Sequence, residues 1–96
     1  MSTHNQRVLL AIELAAHSAM HEMGVIGVMR GSQQERYALE SLATTMVEKV
    51  CEIYGWPRES ASKTWVRTEN ELRVNMHVRP PNTVSIRHID MSIEVA

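Results

Sequence analysis

The chain has 96 residues, 44% hydrophobic and 22% charged, enough for one core and not two, so residues 1–96 are read as a single domain. Ten basic residues against eleven acidic ones leave a net charge of -1, which excludes a protein that coats nucleic acid through a large positive excess. Cys51 is the lone cysteine, so neither an intramolecular disulfide nor a cysteine-rich zinc cage can be built, and the chain is expected in the cytoplasm.

The first predicted element is a helix over 5–23. Val8, Leu9, Ile12, Ala15, Ala16, Ala19, Met20 and Met23 recur at spacings of three and four, with no Pro or Gly between them. The run from Val8 to Ala16 resembles a leader segment, with Arg7 before it and Ala16-His17-Ser18-Ala19 after it. Glu13 interrupts that run, and it falls short of the ~20 residues that span a bilayer, so no leader and no membrane contact are expected. Polar side chains are confined to Glu13, His17, Ser18, His21 and Glu22. A helix this apolar is normally covered on more than one side. A second copy of the chain is the expected cover, meeting Leu9, Ile12, Ala16 and Met20.

Gly24 to Gly31 holds three glycines around Val25, Ile26, Val28 and Met29, and reads either as a glycine-hinged connector or as a short fourth strand over 25–30. Ser32-Gln33-Gln34-Glu35 is a capping box, in which hydroxyl and carboxylate each satisfy an orphan backbone N–H. It opens a second helix over 32–54. The core stripe there is Leu39, Leu42, Ala43, Met46, Val47, Val50, Ile53 and Tyr54, and Gly55 supplies a left-handed stop before Trp56-Pro57.

Past Lys63 the period changes from 3.6 to 2, which predicts strands over 63–68, 72–79 and 84–95. Leu72, Val74, Met76 and Val78 alternate with Arg73, Asn75, His77 and Arg79. In the last strand the apolar parity flips at Arg87-His88, which calls for a bulge there. With Val78 facing Val84, that bulge sets Val74 opposite Ile89 and Arg73 opposite Asp90. For the first hairpin a three-residue loop, Glu69-Asn70-Glu71, puts Val66 in the core and keeps Trp65 and Arg67 on the open face. A two-residue loop exchanges the faces. The expected fold is α+β: two N-terminal helices on one face of a three-stranded antiparallel meander, with a fourth strand if 25–30 joins it.

Three clusters carry chemical interest. Glu13, His17 and His21 fall at i, i+4 and i+8 on one side of the first helix, a spacing at which imidazoles can share a divalent metal, but the Glu that follows the first His in zinc-protease helices is absent. A polar surface stripe is the ordinary alternative, and no cofactor is expected. Arg67, Arg73, Asn75, His77, Arg79, Arg87 and His88, with Ser85 and Trp65, form an open sheet face suited to a nucleotide or nucleic acid, since guanidinium groups bind phosphate bidentately. Against it, Glu69, Glu71, Asp90 and Glu94 dilute the charge, as in a solvated face of cross-strand pairs. Arg30-Gly31-Ser32 precedes a helix start, where free N–H groups attract anions, yet no phosphate-loop fingerprint is met.

Cys51 reads as a small buried hydrophobe, and seven methionines with no phenylalanine describe an aliphatic, deformable core. No Ser/His/Asp arrangement is evident, so the chain is not expected to be an enzyme. The function that fits is a binding protein: a homo-oligomer that engages another macromolecule as inhibitor or adaptor, a character shared by small autonomous proteins of mobile elements. An anionic-ligand module is the alternative, and a metal-binding protein the third.

Overall fold

The computed structural model describes residues 3–25, 28–80, 82 and 86–95, with side chains from Gln6 onward. Helix α1 spans Thr3–Met23 and helix α2 spans Gln33–Tyr54; a 3-10 turn, Arg58–Ser60, leads into strands β1 (Ala61–Arg67), β2 (Glu71–Val78) and β3 (Arg87–Glu94). The strands form one antiparallel sheet in the order β1-β2-β3. The fold is α+β, both helices lying on one face of the sheet. α1 packs along α2 and reaches the sheet at β3, whereas α2 lies over β1 and β2.

Both helices stop by the same device. Gly24 and Gly55 adopt φ of 66° and 69°, a left-handed conformation in which a Cβ is strained. The N–H of the residue after each glycine then reaches back five residues, Val25 to the Met20 carbonyl at 3.1 Å and Trp56 to the Cys51 carbonyl at 2.9 Å. At the start of α2 the Glu35 N–H donates to Ser32 Oγ at 3.0 Å, while Glu35 Oε1 accepts from the Gly31 N–H at 3.1 Å. Two orphan donors are thereby satisfied.

Alternation in β2 directs Leu72, Val74, Met76 and Val78 under the helices, all fully buried. Val8, Ile12, Ala16 and Met20 of α1, Leu39, Leu42, Ala43, Met46, Val47, Val50 and Cys51 of α2, and Met91 and Ile93 of β3 complete a single buried cluster. Cys51 is thus a core side chain, and burial pushes its thiol pKa up.

Several expectations are corrected. Ile12, Ala16 and Met20 are occupied by the chain's own core and so are not free to meet a second copy, while Leu9 is half-buried against that core. The exposed large apolar side chains of α1 are Leu10, Leu14 and, at its last residue, Met23. In the 25–30 segment the described residues form no strand; Ile26 and Gly27 lie outside the description. The first hairpin takes the two-residue loop: Arg67 pairs with Leu72, and the Thr68 N–H donates to the Glu71 carbonyl at 2.9 Å across Glu69-Asn70. Trp65 and Arg67 therefore share the helix side with Val74 and Leu72, and Val66 is on the open face. In the second hairpin pairing runs unbroken from Val78↔Arg87 to Glu71↔Glu94, with Val74 opposite Met91, Arg73 opposite Ser92 and Asn75 opposite Asp90. No bulge occurs at Arg87-His88, because both residues pair in regular register with Val78 and His77; Val84 lies outside the described residues.

Arg67 can point toward the helices because Glu35 meets it there. Arg67 Nη2 lies 3.6 Å from Glu35 Oε2, with the side chains 15% and 9% exposed. The guanidinium also donates to the Thr68 carbonyl and, at 3.4 Å, to that of Val95. Its Nε is buried with no partner among the described residues. Removing one member of such a pair strands the other charge out of water. Arg67→Met is expected to lower the unfolding free energy in urea by about 3 kcal/mol. The double variant Glu35→Leu/Arg67→Met should lose less than the sum of the two single losses; additive losses would show that the pair is not coupled.

Candidate functional site

The open face of the sheet is made by alternate residues of all three strands. Ser62, Thr64 and Val66 of β1, Glu71, Arg73, Asn75 and His77 of β2, and His88, Asp90, Ser92 and Glu94 of β3 stand there by register. Of the seven residues expected to bind an anion, Arg73, Asn75, His77 and His88 are brought together on this face. Arg67 is withdrawn to the helix side. Arg87, paired with Val78, falls on the helix side at the start of β3, and Arg79 lies exposed beyond β2, its N–H donating to the Ser60 carbonyl at 2.8 Å.

Electrostatics on that face run against anion capture. Arg73 Nε donates to Glu71 Oε1, and Ser92 Oγ donates to Glu71 Oε2 at 2.7 Å. The Ser92 hydroxyl first, then Arg73, hold the Glu71 carboxyl below the ordinary carboxylate range. His88 Nε2 is 2.9 Å from Asp90 Oδ1, and its ring lies 4.6 Å from that of His77, its cross-strand partner. Among the described residues the face therefore sets one guanidinium against the carboxylates of Glu71, Asp90 and Glu94. A phosphate approaching Arg73 would have to displace Glu71 and pass those negative charges.

On α1, Glu13 Oε1 and His17 Nε2 are 3.7 Å apart and exposed. No group of three or more His, Cys, Asp or Glu side chains is arranged to hold a metal ion among the described residues, and His21 does not join the Glu13–His17 pair. Nor is any helix among them long and apolar enough to cross a membrane.

Two features escape a sequence reading. One is a groove of about 450 Å³ at the end of the molecule where β3 begins, floored by Val8, Leu9 and Ile89 and walled by Tyr54 and Trp56. Those two rings stack, centroids 4.5 Å apart and planes 12° from parallel. The left-handed Gly55 between them turns the chain so that neighbouring side chains lie together. Arg87, His88, Ile89 and Asp90 all border the groove, so the edge of β3 is its remaining wall. The helical end signal at Tyr54-Gly55-Trp56 is legible in sequence, but the arrival of α1 and β3 beside it is not.

The other is a polar staple between α2 and β1. The Lys63 ammonium and the Trp65 indole N–H both donate to the Glu40 carboxylate. These bonds, Lys63's first, lower the Glu40 pKa from its usual 4.5. A carboxyl whose native pKa is depressed adds stability above the unfolded-state pKa and loses it as pH falls through the native one. Lys63→Met is therefore expected to be less stable than the natural protein at pH 7 by up to about 1 kcal/mol, since the pair is partly exposed. The deficit should shrink as pH falls below 4.5, which urea unfolding at pH 7 and pH 3 will show; an equal deficit at both would rule the staple out.

No protein-family model, curated protein or solved structure matches the chain.

Proposed function

We propose that the protein works by binding other proteins: a homo-oligomeric regulator, of inhibitor or adaptor type, that acts through contacts with a second copy and with another macromolecule. The supporting observation is the uncovered side of α1. Leu10 is 56% exposed and Leu14 61%, although the helix has already buried Val8, Ile12, Ala16 and Met20 in its own core. Leu10, Leu14, His17 and His21 follow one another at spacings of four, three and four, the repeat that keeps a stripe facing a neighbouring helix. Ala11, Ala15 and Ser18, small residues on the flank of that stripe, leave room for close approach.

Two leucines on adjacent turns of one helix form an apolar patch that a partner would cover at a gain of about 2 kcal/mol each. Light scattering on the natural protein is expected to give a mass above that of one chain. Leu10→Glu/Leu14→Glu is expected to remain folded by circular dichroism, because neither side chain belongs to the core. Its dissociation constant should rise by more than about 100-fold, giving a monomer. An unchanged mass for the variant would show that α1 is not the contact.

A further inference from the structure

β1 and β3 are both edge strands, yet they differ in how their edges are guarded. β1 carries Lys63 and Arg67 on its helix-facing side, and inward-pointing charges are a standard obstacle to pairing with another strand. β3 has Ile89, Met91 and Ile93 on that side, with a charge only at its first residue, Arg87. It spans eight residues without bulge or proline, and no strand covers its outer edge among the described residues. A row of unpaired backbone groups over apolar side chains is a template for a further strand.

We propose that this strand is β3 of a second copy, joined antiparallel about a two-fold axis beside Met91 to make a continuous six-stranded sheet. The proposal rests on the self-association put forward above and specifies its surface. Alternation of side chains limits the choice of register, because the two-fold must pass beside a residue if the helices of both copies are to lie on one face. An axis beside Asp90 sets Asp90 against Asp90. Moved to Ser92, it sets Asp90 against Glu94. At Ile89 it brings Arg87 onto Met91 among the apolar side chains. The axis at Met91 avoids the like-charge pairs and overlaps the strands over their full length: Met91 meets Met91, Ile89 meets Ile93, Asp90 meets Ser92, His88 meets Glu94 of the second copy, and Arg87 meets Val95 only at the two ends of the ladder. An axis at Ile93 avoids those pairs too but leaves the first half of β3 unpaired. Cross-strand pairs of opposite charge or matched apolar character are the ones that stabilise a sheet.

The same junction accounts for two other features of that flank. α1 is the helix that reaches β3, so pairing at β3 places the two α1 helices as the inner pair of the helical layer, with Leu10 and Leu14 among the exposed apolar side chains that α1 brings there. The groove walled by the edge at Arg87 to Asp90 also gains a neighbour along its open side.

Cross-linking tests the register directly. In a Cys51→Ala background, His88→Cys/Glu94→Cys is oxidised and run on a non-reducing gel. Six residues of extended strand separate the two positions, roughly 20 Å, so a disulfide within one chain cannot form. The expected result is a covalent dimer from the pair and none from either single cysteine variant. If the pair stays uncross-linked, or either single variant cross-links as well, edge pairing in this register is overturned. A mass above one chain for the natural protein would then leave association through α1 standing, while a monomeric natural protein would remove both. Should the variant misfold, hydrogen exchange of the natural protein decides. Exchange of β3 amides that slows with rising concentration while β1 is unchanged is expected, and concentration-independent exchange in β3 overturns the pairing.

Discussion

The contact between Glu35 and Arg67 governs more of this molecule than its size suggests. Glu35 sits in the first turn of α2, where its carboxylate closes the cap by accepting the Gly31 N–H, and it is the buried acidic residue under the end of β1. Arg67 reaches it from the last position of that strand, and its Nη groups also donate to the carbonyls of Thr68 and Val95. The start of a helix, the tip of a hairpin and the end of the chain are tied together through one guanidinium. Such pairs are not strong sources of net stability, because desolvation cancels much of the attraction. Their force lies in specificity. A one-residue slip of β1 would turn Val66 inward, send Arg67 to solvent and leave Glu35 buried without its partner, which costs several kcal/mol.

That choice of register propagates outward. With Arg67 withdrawn, Lys63 and Trp65 also face α2, where Glu40 receives both. β1 becomes a guarded edge with inward charges, and the open face is left to short polar side chains, Val66, Arg73, two histidines and three carboxylates. A surface that reads as basic when its residues are tallied along the chain becomes mixed once half of them are turned to the other side. Apolar surface stays uncovered at Leu10 and Leu14 on α1, on the flank where the unguarded β3 lies.

Much of the architecture was legible before any coordinates. The capping box at Ser32, the left-handed glycine at position 55, the stripes of both helices and the alternation in β2 are local patterns, and each was met in place. What eluded a sequence reading were properties that depend on two segments at once. By spacing alone α1 is apolar all round, which points Leu9, Ile12, Ala16 and Met20 toward a partner; the stripe facing inward can be told from the one facing outward only when α2 and the sheet are present. Arg67 was placed on the open face because a lone charge should not enter a core, and nothing in its neighbourhood announces that Glu35, thirty-two positions earlier, waits there. The bulge at Arg87-His88 was inferred from a real change of parity, but where the strand begins, and so whether the ladder feels that change, is settled by pairing with β2.

The sequence by itself determined where both helices stop, the cap of α2, the buried row of β2 and the α+β class, because these follow from spacing and from backbone chemistry within a few residues. Tertiary structure alone decided the faces of β1, the ladder offset of β3 and the identity of the exposed apolar stripe. The physical reason is the periodicity of two in a strand: shifting a loop by one residue exchanges every side chain between faces at almost no local cost. Only a distant partner, here a carboxylate on another element, makes one of the two alternatives the lower in free energy.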